Sequence, residues 1–159
     1  MPKKFTDEEY QNILPKKQAG TAVIFFNDKN ELLIVKPDYK VDWLIPGGSI
    51  DENESPLQCA VREVKEEIGL DITELKLVGI YYRHKREGHS DSLKFVFYGG
   101  TLFENQIIQI KLQTEELEKY IFSRPDEAIS LLSSSLQQSI PQCLEAIKNK
   151  TTAYIESSN

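Results

Sequence analysis

A mixed β-sheet sandwiched between α-helices, an α/β (α+β) fold, is what this sequence predicts. Runs rich in β-branched and aromatic residues flank one sharply bounded helix beginning at Pro56, and helical periodicity returns only near the C-terminus. That order differs from the regular strand–helix alternation of a doubly wound parallel sheet. The 159 residues, 40% hydrophobic and 28% charged, suit one globular core. The expected organisation is an N-terminal arm over 1–18, one domain over 19–150 and a flexible tail over 151–159.

In order, Thr6 and Glu9 form a capping-box pattern that opens a short helix ending by Pro15. Gly20 to Phe26 and Glu31 to Lys36 are apolar runs around the turn Asn27-Asp-Lys-Asn30, which predicts a hairpin. Pro37 ends it. Trp43-Leu44-Ile45 leads into Pro46-Gly47-Gly48, where glycine allows close backbone approach to a ligand. Trp43 reads as packing rather than as a base-stacking platform. Leu75 to Tyr82 and Leu93 to Leu102 read as strands around the charged connection Arg83 to Asp91. Its basic run Arg83 to Arg86 suits a phosphate group and equally a solvated loop. Ile107 to Leu112 and Tyr120 to Phe122 are further strand candidates, followed by helical patterns over Asp126 to Leu132 and up to Lys148, with Pro141 as a start or kink.

The central helix is the most explicit element. Ser55 is a good N-cap, Pro56 takes the first helical position, Gln58 completes a capping box, and Gly69 stands where a left-handed residue ends a helix. Leu57, Ala60, Val61, Val64 and Ile68 make an apolar stripe. Glu63, Glu66 and Glu67 crowd within one turn, and the last two face the negative end of the helix dipole. A divalent cation such as Mg2+ or Mn2+ would remove both repulsions, since hard oxygen ligands suit it and it can then bind phosphate oxygens. Charged helix faces are also common solvated surface, and Arg62 to Glu66 is an ordinary i, i+4 pair.

The spacing of the whole stretch is more specific. Gly48, Glu54, Arg62, Glu63, the aliphatic Val64, Glu66, Glu67, Gly69 and the aliphatic Leu70 fill every position of the pattern that marks the Nudix hydrolase family, which this chain resembles. The likeness is full over residues 48 to 70, extends to Leu32–Lys36 and Trp43–Gly48, and beyond about residue 75 is one of pattern, as at Phe122 to Ala128. The resemblance implies a mixed sheet between helices and Mg2+-dependent (or Mn2+-dependent) water attack on the pyrophosphate of a nucleoside diphosphate linked to another moiety. It implies Glu66 and Glu67 as principal metal ligands and Glu63 as a third ligand or the carboxylate that orients water. Gly48 supplies backbone near the metal. Arg62 is an orienting group paired with Glu54 or a catalytic glutamate, and Gly69 is structural. A further carboxylate from outside this stretch is expected among Glu115, Glu116 and Glu118, with Glu116 favoured.

Net charge of −6 argues against binding that depends on neutralising a nucleic-acid backbone. A small nucleotide is the expected partner, for a monomer or homodimer. Cys59 and Cys143 have no metal-ligand spacing and read as reduced thiols; the apolar runs are too short to span a bilayer, and no signal-peptide core opens the sequence. A cytoplasmic location is expected. The substrate stays open among ADP-ribose, nucleotide sugars, nucleoside triphosphates and dinucleoside polyphosphates. The alternative class is a non-catalytic nucleotide-sensing domain of the same family.

Overall fold

The computed structural model describes residues 4–158; residues 1–3 of the expected arm and residue 159 of the expected tail lie outside them. In chain order the elements are α1 (Asp7–Ile13), β1 (Gln18–Asn27), β2 (Leu32–Pro37), α2 (Pro56–Ile68), β3 (Lys76–Arg83), β4 (Ser92–Leu102), α3 (Glu104–Ile107), β5 (Leu117–Ser123), α4 (Pro125–Leu131), α5 (Ser134–Asn149) and β6 (Ala153–Glu156). The strands form one sheet in the order β5-β2-β1-β4-β3-β6. The β1–β4 and β3–β6 pairs are parallel and the others antiparallel, so the sheet is mixed.

Two cores, one on each face, explain why the strand runs are apolar throughout rather than alternating. Val23 and Phe25 of β1 and Leu33 and Val35 of β2 pack with Ala60, Val64 and Ile68 of α2. Their neighbours Ala22, Ile24, Leu32 and Ile34 face the opposite layer, where Ala128 of α4 and Leu136, Ile140 and Cys143 of α5 cover them. On α2 the buried stripe is narrower than the sequence predicts, because Leu57 is exposed and Val61 half-buried. The first turn of α2 overhangs the sheet, so the contact starts at Cys59.

The β1–β2 hairpin pairs only beside its turn, Phe26 opposite Leu32. Farther along, the segment from Leu44 to Ile50 occupies the space between the strands. Leu44 exchanges two hydrogen bonds with Val35, at 2.8 and 2.9 Å, and on the other side Pro46 and Gly48 carbonyls accept from Val23 and Thr21 amides at 2.7 and 2.8 Å. A loop wedged into a sheet this way has nearly strand-like rigidity.

Two expectations need correction. Ile107 to Leu112 is not a strand: Ile107 ends α3, and the residues after it turn their amides to the last carbonyls of α2, Lys111 donating to Ile68 at 2.9 Å and Gln113 to Glu67 at 3.0 Å. The open C-terminus of α2 outcompetes a sheet for those donors. Within the tail expected over 151–159, Ala153–Glu156 form β6, which pairs with β3 from Gly79 to Tyr82 and buries Ile155. A four-residue strand holds because its partner edge would otherwise leave amides and carbonyls unpaired. Among the described residues no helix is long and apolar enough to cross a membrane. Ile155→Ala should therefore lower unfolding free energy by about 2–4 kcal/mol, read by urea titration, whereas a frayed tail would give no change.

Candidate active site

The wedged loop and α2 meet face to face. The α2 cap works as the sequence predicts: Ser55 Oγ accepts the Gln58 amide at 3.2 Å, Gln58 Oε1 accepts the Ser55 amide at 2.9 Å, and Gly69 closes the helix at φ 74°. Pinned at both ends, α2 presents Arg62, Glu63, Glu66 and Glu67 to the loop. Glu67 is buried at 8% exposure, and one carboxylate oxygen accepts the Gly47 amide at 2.9 Å. Gly47 needs to be glycine, since its φ is 154° and a Cβ there would overlap the Thr21 carbonyl of β1. At Gly48 a Cβ would overlap the Glu63 carboxylate.

Arg62 is the hub. Its Nε and Nη2 grip Glu54 with two bonds of 2.7 and 2.9 Å; Nη1 donates to Glu63 at 2.8 Å and Glu66 at 3.0 Å, and Nη2 also donates to the Ser49 carbonyl at 3.1 Å. One planar guanidinium thus joins three carboxylates and the loop backbone. Its partners hold the Arg62 proton more firmly than usual, and the Arg62 bond, backed by the Asp51 amide, lowers the Glu54 carboxyl to about 2.

Glu63 and Glu67 are pushed the other way. Burial raises Glu67 to about 8 against the Gly47 bond, with the charges of Glu63, Glu116 and Glu66 adding to the rise. Glu63 is raised by burial first, Arg62 opposing and Glu66 and Glu116 adding. Of the three outlying candidates, Glu116 is the one whose charge reaches both Glu63 and Glu67, while Glu118 lies 3.6 Å from Lys119 in its own exposed pair. Among the described residues no three His, Cys, Asp or Glu side chains converge as a ready-made cation cage. The donor set still fits a hard divalent ion: Glu63, Glu66, Glu67 and Glu116 offer carboxylate oxygens, two of them at a desolvation cost that a cation would offset, and a single arginine does not neutralise four such groups.

Cys59 is buried under the loop, its Sγ 3.3 Å from both Thr21 Oγ1 and the Ser49 carbonyl. Burial pushes its thiol up to about 11 and that of Cys143 up to about 12. The same loop lines a cleft whose walls also include Lys40, Arg83, Arg86 and Lys94. Sequence reading singled out the Arg83 to Arg86 run but passed over Lys40 and Lys94. The signal for Lys94 was available, because a period of two places it on the same face as buried Val96.

Comparison with known proteins bears on what this arrangement belongs to. The NUDIX domain profile matches residues 16–143. The 8-oxo-dGTP diphosphatase of Proteus vulgaris is 32% identical over 104 residues, covering 62% of this chain and 90% of that protein. The m7GpppN-mRNA hydrolase of Saccharomyces cerevisiae is 26% identical over 116 residues, 73% of this chain, which spans only 12% of that protein's length. The fold of the NUDIX domain of Shewanella oneidensis NrtR, solved in complex with ADP ribose, superposes with a TM-score of 0.68 at 14% identity, covering 92% of this chain and 99% of that one.

Two outcomes follow from the geometry. Gly47→Ala should cost about 3 kcal/mol of stability, measured by chemical denaturation; a loss below a few tenths would show that the loop is not held as described. Neither thiol should react with a disulfide reagent at pH 8 in the folded protein, and both should react once it is unfolded.

Proposed function

The chain belongs to the NUDIX family, and on that premise we propose that it is a divalent-metal-dependent pyrophosphohydrolase acting on a nucleoside diphosphate linked to another moiety. The observation that carries the reading is that Arg62 pairs with Glu63 and Glu66 while the charges of Glu63, Glu116 and Glu66 all bear on the buried Glu67 carboxylate, a charge distribution with no purpose in stability alone. Mg2+ or Mn2+, when bound, neutralises phosphate oxygens and acidifies water.

Glu66 and Glu67 are the principal ligands, with Glu116 and the Gly48 carbonyl completing the set; that carbonyl has a lone pair beyond its bond to Thr21. Glu63, half-buried and sharing the Arg62 guanidinium with Glu54 and Glu66, suits the task of orienting the attacking water and accepting its proton. Arg62 cannot serve as a base, since it stays protonated; it positions Glu63 and Glu66 against the loop, and Glu54 anchors it there. Gly47 orients the Glu67 carboxylate, and Gly69 ends the helix so that the glutamates stay in register with the loop. The two unpaired thiols suit a reducing compartment such as the cytoplasm.

The test is a substrate panel of ADP-ribose, nucleotide sugars, nucleoside triphosphates including oxidised ones, dinucleoside polyphosphates and 5′-capped RNA, with Mg2+ or Mn2+ and readout of released nucleotide. Turnover of at least one, abolished by chelation, supports hydrolysis. Tight binding of one with turnover of none would identify a nucleotide-sensing domain instead. Glu66→Gln should reduce turnover on the order of a hundredfold or more while leaving the fold intact, because the Glu66 side chain is 51% exposed. Wild-type rates in that variant would contradict the assignment.

A further inference from the structure

A cleft that takes part of its wall from Gly47, Gly48 and Ser49 carries a charge imbalance that the roles assigned above do not use. It has a volume of about 540 Å³ and is walled by the start of β1, the loop from Tyr39 to Ser49, the ends of β3 and β4, and the first turn of α5. Lys40, Arg83, Arg86 and Lys94 line it. Among the described residues Arg83, Arg86 and Lys94 make no side-chain hydrogen bond or ion pair, and the buried Nε of Arg83 has no acceptor at all. Asp42 is the sole carboxylate in these walls; it is exposed and pairs with none of them.

This is costly as it stands. Lys94 lies on the core-facing side of β4, and desolvation first, then the charges of Arg83 and Lys40, push its ammonium down to about 8. A chain with 25 acidic and 19 basic side chains has carboxylates to spare for pairing, and it spends none here. The opening of α5 adds to the same field. Its first turn holds no acidic residue, no side chain caps it, and Ser134 and Ser135 face the cleft. A buried orphan donor, a desolvated ammonium and an uncapped helix start each lack an anionic or acceptor partner.

We propose that this cleft is a second anion subsite, in which Lys94 and Arg83 read a phosphate monoester of the substrate remote from the bond that is cut. The inference rests on the pyrophosphohydrolase reading for what the other half of the substrate does. It narrows the substrate to a nucleotide derivative anionic at both ends, either a polyphosphate chain or a ribose bearing its own phosphate, and disfavours one ending in a neutral sugar. Lys94 and Arg83 are binding residues, and Arg86, exposed at the cleft mouth, adds charge without being buried.

Calorimetric titration in EDTA, which separates binding from hydrolysis, decides it. The ligands are AMP, adenosine 3′,5′-bisphosphate and inorganic tripolyphosphate. At least one multiply phosphorylated ligand should bind about tenfold or more tighter than AMP, as a charge-assisted contact to a half-buried cation implies, and which one does so distinguishes a phosphorylated ribose from a phosphate chain. Lys94→Met should erase that preference and Lys94→Arg should keep most of it. Arg86→Gln, at an exposed position that folding does not need, should weaken it about threefold. Equal binding of all three ligands, binding of none, or a preference that survives both Lys94→Met and Arg86→Gln would overturn the subsite. Hydrolysis could then still stand, and a failure of hydrolysis on every substrate would leave the binding preference intact.

Discussion

The two halves of the site meet at a hydrogen bond from the Gly47 amide to the buried Glu67 carboxylate. The loop that supplies the amide is locked between β1 and β2 by backbone bonds on both sides, and the helix that supplies the carboxylate is capped at both ends. Neither partner can move far without breaking a ladder or a cap. The distance between loop backbone and glutamates is therefore set by the fold itself, and Arg62 tightens it by holding Glu54, Glu63, Glu66 and the Ser49 carbonyl at once. Removing that arginine would leave several carboxylates facing one another with no cation between them, a larger loss than any single ion pair represents.

The site and the cleft beside it carry unlike charges. Glu63 and Glu67 are held above their ordinary pKa by burial and the charge of neighbouring carboxylates, while Arg83, Arg86 and Lys94 in the cleft wall have no carboxylate partner among the described residues. A folded chain optimised only for stability would pair these two sets, and this one leaves them unpaired. A ligand with a cation-bridged pyrophosphate at one end and a second anionic group at the other would satisfy both sides simultaneously. The same separation explains why an acidic protein can present a basic cleft, since local field and not net charge decides what a site attracts.

Much of this was legible in the sequence because it is written in local rules. The caps of α2, the glycines at 47, 48 and 69 and the crowding of Glu63, Glu66 and Glu67 each follow from residue type and spacing within a few positions, and the two-sided burial of β1 and β2 follows from unbroken apolar runs. What was not legible depends on partners distant in sequence. Ala153–Glu156 becomes a strand only because β3 leaves an edge for it, and the stretch from Ile107 to Leu112 has a strand-like composition but is recruited by carbonyls at the end of α2. Glu116 could not be separated from Glu115 and Glu118 by position, and its electrostatic reach to Glu63 and Glu67 is what distinguishes it. Lys94 meets Arg83 and Lys40 only in three dimensions.

The central claim is that the α2 carboxylates and the Gly47–Gly48 loop together form a site for a divalent ion, and Mn2+ titration followed by electron paramagnetic resonance tests it without any substrate. The wild-type protein should bind Mn2+ saturably, with binding weakened by about tenfold or more in Glu67→Gln, in which the buried carboxylate is gone and the loop amide remains. Free Mn2+ signal throughout the wild-type titration, or identical binding in the variant, would contradict it.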